Sequence, residues 1–365
     1  MVQSSAKHSP YLYKEMVNSL DNRESKKYFI QQYLQEDYQH GGIGGTDAER
    51  ILVGKGFQPI FFPHQNDFSI LAKVKRFLFL RKTLFSIEKN AVVLFLFPVY
   101  ARINRLLLSM LAKRKDVTVV CFLADINGLK DGNKDNLQEE IAFFKKFNYF
   151  IVHSGNMEEW VKAEVAPSAR ITAIELFDFL AEPDTHIRDK SFDIVFAGNL
   201  EKSGFLDKLH TLKPGQPSLH FHLYGAGHSE DMVNQDNVTW HGVFPPYELP
   251  AKLEGSFGLV WDGDGIDKPM GSLGQYMQFI SHHKLSLYIL SSIPLIVPAS
   301  AASAGFVERN KIGFTINGLH EIESKIHSLT SEKYLQMQFN MRPIARKISE
   351  GGFLGAALEK VLLNG

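Results

Sequence analysis

FGLVWDGDGIDKPMGSLGQYMQFISHHKLSLYILSSIPLIVP, residues Phe257 to Pro298, decides the fold. It reads as strand, long loop, helix and strand. The apolar run FGLVW ends at the polar turn Asp262-Gly263-Asp264-Gly265. Ser281 is placed to cap a helix from about His282 to Ser291, and the apolar residues after Pro294 form the next buried strand. Parallel strands joined by helices bind ligands beyond their carboxyl ends. The stretch therefore gathers Asp262, Asp264, Asp267, Tyr276, His283 and Lys284 around one crevice. Lys284, in the first helical turn, adds an ammonium to free backbone N–H groups, a combination suited to phosphate. The bland alternative is a loop of solvated charges.

Outward from this stretch, strands and helices alternate along most of the chain. In the first half, strands are expected at Tyr28–Tyr33, Gln58–Phe62, Val92–Phe97, Val117–Leu123 and Tyr149–His153. Helices are expected at Arg102–Lys113, Leu137–Phe147 and Asn156–Val165. The charged segment 181–190, AEPDTHIRDK, reads as a linker. Alternation then restarts, with strands at Phe192–Phe196, His220–Tyr224 and Thr239–Gly242, and a helix at Pro246–Glu254. This is the pattern of two doubly wound α/β domains. The expected division is a tail or short helix at 1–25, a first domain at 26–180, the linker, a second domain at 191–342, and a terminal helix at 343–365 that crosses back to the first domain.

A chain of 365 residues is long for one core, which fits two domains. Lys+Arg and Asp+Glu are both 40, so the formal net charge is zero. That balance argues against nucleic acid as a partner. The single cysteine, Cys121, lies in the apolar run VTVVCFLAD and reads as a buried strand residue. With one cysteine and a polar N-terminus, a cytoplasmic protein is expected.

Three strand ends of the second half carry small or phosphate-friendly residues: Gly198-Asn199 with Lys202, Gly225 with Gly227, and Asp262 with Lys284. Glycine permits close backbone approach, and a diphosphate needs donors and positive charge. Tyr224 and Trp240 are candidate platforms for a base, with a core role as the alternative. In the first half, the loop QEDYQHGGIGGTDAER holds Gly41, Gly42, Gly44 and Gly45, and Thr46 to Glu49 has the spacing of a capping box. Gly44, Gly45 and Thr46 are thus candidates for the acceptor side. The loop breaks the dinucleotide fingerprint, because Asp47 stands at the third glycine position. Residues 71–89, AKVKRFLFLRKTLFSIEKN, form a basic amphipathic helix candidate, either a solvated surface helix or a contact with an anionic membrane or lipid-diphosphate acceptor.

These residues carry a resemblance. Trp261-Asp262-Gly263, Tyr276, His283 to Tyr288 and Ile293-Pro294 resemble the hallmark run of a family of bacterial GT-B sugar-nucleotide glycosyltransferases. That family includes galactofuranosyltransferase-like enzymes and the third glucosyltransferase of serine-rich adhesin glycosylation. FAGNLEK (Phe196 to Lys202), LYGAG (Leu223 to Gly227), FLADINGLKD (Phe122 to Asp131) and ELFDFL (Glu175 to Leu180) are similar to further segments of it. Ala124 stands at the family's histidine and Lys130 at its arginine. Ile280 and Ser281 replace its asparagines, and Leu287 replaces the ribose-binding glutamate of many GT-B enzymes.

The resemblance implies two Rossmann-like domains facing a cleft, with a UDP-sugar donor held by the second domain and a glycan, glycoprotein or lipid-linked acceptor by the first. It implies hexosyl transfer, of galactofuranose or glucose, without a metal or other cofactor. For inverting transfer a general base is needed, and Asp125 leads, ahead of His64, His40 and Asp37. Self-association and contact with the inner membrane face are further expectations. The alternatives are a non-catalytic partner protein that keeps the fold, and a sugar-nucleotide epimerase or dehydrogenase.

Overall fold

The computed structural model describes residues 26–34, 42–62, 69–212 and 219–363. The tail or short helix expected at 1–25 and the residues Asp37, His40, Gly41 and His64 lie outside these residues.

The first domain alternates strand and helix as β1 (Lys27–Ile30), α1 (Ile43–Gly54), β2 (Gln58–Ile60), α2 (Ile70–Ser86), β3 (Ala91–Phe97), α3 (Arg102–Leu111) and β4 (Val117–Leu123). It continues through α4 (Asn127–Lys130), α5 (Lys134–Phe144), β5 (Tyr149–Val152), α6 (Gly155–Glu164) and β6 (Arg170–Ala173). All pairings are parallel, in the order β2-β1-β3-β4-β5-β6. Every residue of β3, AVVLFLF, is buried, as a parallel strand covered on both faces must be.

The second domain contains β7 (Asp193–Ala197), a 3₁₀ segment at Gly204–Thr211, β8 (His220–Tyr224), α7 (Glu230–Val233), β9 (Val238–Trp240) and β10 (Phe257–Leu259). It continues with α8 (Gly271–Tyr276), α9 (His283–Leu290), β11 (Leu295–Pro298), α10 (Ala304–Asn310), β12 (Gly313–Ile316) and α11 (Ile322–Ser328). Its parallel order, β12-β11-β10-β7-β8-β9, reverses direction between β7 and β10. The first sheet reverses between β1 and β3. At such reversals the flanking helices diverge and open a crevice at the carboxyl edge. Each sheet thus presents one, and the two crevices face each other.

Four local expectations are corrected. The segment Pro246–Glu254 forms only one 3₁₀ turn, Leu249–Ala251. A capping box at Thr46 to Glu49 would start the helix at Asp47, but the helix begins at Ile43, with Gly42 at its cap. The capping box does not form: Thr46 Oγ1 donates to Gly42 O, while the buried Glu49 accepts from the backbone N–H groups of Gln32, Tyr33 and Leu34. Three tertiary donors outcompete one local one, and they pin the loop after β1. Ser281 is not the cap of α9 either; that position is His282.

Between the sheets, Arg188 Nε donates to Ser291 O at 3.0 Å and Nη1 to Leu253 O at 2.8 Å. Gln338 pairs with both backbone groups of Arg188. Gln338 lies in α12 (Ser331–Ser349), which is followed by α13 (Gly352–Leu363). The first backbone N–H groups of α13, from Phe353 and Leu354, are capped by the buried Asp178 of the first domain, at 3.0 and 2.7 Å. One contiguous apolar core runs from Phe29, Leu94 and Val120 through Phe353 and Leu358 to Leu285 and Leu290. No helix among the described residues is long and apolar enough to cross a membrane.

Candidate active site

The interdomain cleft has a volume of about 730 Å³. An adjoining hollow of about 360 Å³ lies on the second domain and shares Ile43, Asn199, His283 and Lys284 with it. Together they are large enough for a nucleotide-sugar-sized ligand.

The second-domain wall is built at the sheet reversal. Beyond β7 comes Gly198-Asn199, and beyond β10 comes Trp261-Asp262. A Cβ on Gly198 would meet Lys284 Cε at 2.8 Å, and one on Gly225, at φ +135°, would collide with the carbonyl of Gly198. These two turns close only as glycine. Gly227 packs as tightly on Glu201. The result is a floor of bare backbone along the smaller hollow, lined also by Tyr224, Phe244 and Leu249.

Lys284 and Asp262 anchor this wall. Lys284 Nζ donates to Asp262 Oδ1 at 2.9 Å and sits 4.2 Å above the Phe196 ring. His282 Nε2 lies 2.7 Å from Asp262 Oδ2. Burial on its own would raise the Asp262 pKa, but the Lys284 ammonium and His282 outweigh it and hold the carboxyl well below the usual range. At the start of α9, three buried polar atoms have no hydrogen-bond partner among the described residues: Ser281 Oγ, His282 Nδ1 and His283 Nε2. All three residues line the cleft. Burial holds His283 neutral, with its pKa pushed down to about 4, although the Asp178 backbone opposes this.

The first-domain wall carries Asp125 at the end of β4. Its Oδ2 accepts from Lys130 Nζ at 2.8 Å, and both side chains are about one-third exposed. Burial tends to lower the Lys130 pKa, but Asp125 reverses this and the ammonium is held. The first turn of α1 brings Gly44, Gly45 and Thr46 to the cleft, where Gly44 faces His283. A Cβ on Gly45 would meet the Tyr33 ring at 2.6 Å. Pro98 and the exposed Tyr100 complete the rim.

Two contacts join the walls at the base of the cleft. Ser281 N–H donates to His153 Nδ1 at 3.1 Å, and His153 Nε2 lies 2.9 Å from Ala124 O, which fixes its proton on Nε2. The Ile126 N–H donates to the Tyr276 hydroxyl at 2.8 Å. That hydroxyl also faces the Asp125 carboxylate.

Most of the sequence-predicted residues thus meet in the cleft or its side hollow: Gly198, Asn199, Lys202, Gly225, Gly227, Asp262, His283 and Lys284 on one wall, Asp125 and the α1 glycines on the other. Others do not behave as expected. Asp264 and Asp267 are exposed and line neither cavity; Asp267 faces His320 instead. Tyr276 does line the cleft, but its ring is buried and its hydroxyl accepts from Ile126 N–H of the first domain. Tyr224 edges the hollow, but its ring stacks on His241 at 4.6 Å and its hydroxyl accepts from Glu254 N–H. Trp240 donates to Gly225 O and packs on His228, outside both cavities. Cys121 is fully buried, as expected, and burial pushes its thiol pKa up.

Sequence reasoning missed His282 and His153. The His282-His283 doublet was the available signal for the first, and a histidine at a strand's carboxyl end for the second. Among the described residues, the one group of His and carboxylate side chains close enough to share a cation is His222, His241 and Glu254. None of the three lines the cleft.

Two facing Rossmann-like domains, a donor-rich second wall and a terminal helix returning to the first domain define the GT-B glycosyltransferase class. Within it, the chain belongs to the glucosyltransferase 3-like family. Residues 26–173 match the N-terminal domain model of that family, and residues 194–361 match its C-terminal domain model. The chain is 28% identical over 285 residues to the β-1,6-galactofuranosyltransferase WbbI of Escherichia coli K12, covering 76% of this chain and 80% of WbbI. It is 24% identical over 237 residues to glucosyltransferase 3 of Streptococcus gordonii, covering 64% and 68%. In fold it is similar to Anabaena HepE, solved with UDP-glucose, with a TM-score of 0.59 at 12% identity over 93% of this chain and 99% of HepE.

Proposed function

We propose that the protein transfers a hexosyl residue, galactofuranose or glucose, from UDP to a glycan acceptor with inversion and without a metal. The names of the relatives support the class of donor. The observation that carries the reading is the set of three buried polar atoms at the start of α9 that have no partner among the described residues, beside Lys284 and the glycine floor. Unpaired buried polar groups are costly, so a cluster of them marks the place of a ligand. A diphosphate there accepts hydrogen bonds from Ser281, from whichever ring nitrogens carry protons, and from the N–H groups of α9. The Lys284 and Lys202 ammoniums balance its charge.

In the reaction, the acceptor hydroxyl gives its proton to Asp125 as its oxygen bonds to the anomeric carbon. The bond from that carbon to the UDP oxygen breaks, and its electron pair leaves with UDP. Fixed positive groups at the leaving oxygen stabilise this charge without reorganisation. Calorimetric titration with UDP, GDP and NAD, with chelator present, tests the reading. Selective UDP binding, followed by UDP release from a UDP-hexose, is expected. Absence of binding to UDP would overturn it.

A further inference from the structure

Helix α2 has two apolar faces. One packs on its own domain through the buried Ala72, Leu80 and Thr83. The other is bare. Ile70, Leu71, Val74, Phe77, Leu78 and Phe85 are all exposed, Ile70 by 81% and Phe85 by 82%. At about 100° per residue, these six side chains fall within an arc of about 120°. They form one stripe, not scattered exceptions, and a contiguous apolar surface of this kind marks an interaction site. By the same count Lys73 borders the stripe on one side, and Lys75 and Lys82 border it on the other. Arg81 lies within it, and α2 contains no acidic residue. Leu106 and Met110 of the adjoining α3 add to the exposed apolar area.

The charge pattern selects the occupant. A second copy meeting this face across a twofold axis would bring lysine against lysine. An anionic bilayer meets it with the opposite sign. Apolar side chains enter the acyl boundary, and the flanking ammoniums stay at the level of the lipid phosphates. The position is also apt. Helix α2 follows the carboxyl end of β2, so its N-terminus lies at the sheet edge that faces the cleft, and exposed Tyr100 of the cleft rim precedes α3.

We propose that the bare face of α2, extended by Leu106 and Met110 of α3, seats the protein on an anionic lipid surface. Docking does not depend on the identity of donor or acceptor. If the proposed transfer holds, an acceptor carried on a lipid reaches the cleft without leaving the bilayer.

The test is sedimentation of the full chain with phosphatidylcholine vesicles, with and without phosphatidylglycerol. Pelleting is expected with the anionic vesicles, weakening as salt rises. The Lys73→Glu/Lys82→Glu variant should partition at least about tenfold less. Phe77→Asp/Leu78→Asp should fall to background. Both variants change exposed side chains, so their thermal midpoints and UDP titrations should match the parent. No pelleting by the parent would overturn the proposal, as would pelleting that the substitutions leave unchanged. It also fails if the parent ignores vesicles and self-associates through this face, with Phe77→Asp/Leu78→Asp restoring monomers. Loss of UDP binding by the parent with vesicle binding kept would instead remove the transferase reading and leave the docking face in place.

Discussion

The two walls of the cleft are built to different standards. On the second domain, Asp262 is gripped by both Lys284 and His282, and all three are mostly buried. The neighbouring turns close only as glycine. On the first-domain wall the ion pair of Asp125 with Lys130 is about one-third exposed, and Tyr100 is open to solvent. A diphosphate is the same in every donor of one nucleotide class, so its site gains from rigidity and fixed charge. In the proposed transfer the acceptor is the part that differs from enzyme to enzyme, which fits the more open first-domain wall. The residue replacements noted in the sequence follow this division in part: Ala124 and Lys130 stand on the open wall, Ile280 and Ser281 at the seam.

The sharpest test of the contrast is Lys284→Ala. It removes the charge at the proposed diphosphate and leaves Asp262 buried with His282 alone. UDP affinity should fall on the order of a thousandfold, about 4 kcal/mol, read by calorimetry. Unchanged affinity would take Lys284 out of the site.

Acidification should next open the seam between the walls. Burial holds His153 and His283 near pKa 4, against an ordinary 6.5. The unfolded chain binds more protons between those values, so their contribution is complete above 6.5 and is lost as pH falls towards 4. Asp178 acts the other way. Burial raises it to about 6 from 3.8, so its contribution is complete below 3.8 and is lost as pH rises through 6. Two histidines outweigh one carboxyl, and a net loss on the order of 3 kcal/mol is expected between pH 7 and 4. Urea unfolding across that range measures it. Stability that rises on acidification would mean that the two imidazoles are already charged in the folded protein.

On the open wall, Asp125→Asn keeps shape and removes the proposed base. Turnover should fall about a hundredfold while UDP affinity stays the same. Full turnover would return the role of base to the first-domain candidates outside the described residues.

Much of this architecture was legible because parallel strands buried on both faces must be apolar runs: β4 and β8 have the bounds their sequences announce. The edge strand β6, RITA, is short and only half-buried, so it carried no such signal. Helix α8 was hidden by two glycines in six residues. The capping box failed for another reason. Thr46 and Glu49 have the right spacing, but Glu49 finds three backbone donors that no local rule foresees. The site divides in the same way. Glycines at strand ends and Lys284 at a helix start are local signals, and these residues line the side hollow, with Lys284 shared by the cleft. The bonds of His282 to Asp262 and of His153 to Ser281 span 20 and 128 residues, so they exist only once the sheets are assembled.

Tyr276, which joins the two walls, tests how separately they act. It comes from the second domain, yet its hydroxyl lies on the first-domain wall, accepting from Ile126 N–H and facing Asp125. Tyr276→Phe keeps the buried ring and deletes that oxygen. The Ile126 N–H then loses its partner, and stability should fall by about 1 kcal/mol. Asp125 loses one of the groups that orient it, so turnover should drop a few-fold, less than for Asp125→Asn. UDP affinity should not change, because the hydroxyl is engaged by Ile126 N–H and Asp125 of the first domain. A calorimetric titration beside a turnover assay separates these effects. If UDP binding weakens as much as turnover, the two walls act as one unit coupled through Tyr276, and the division of labour drawn between them is wrong.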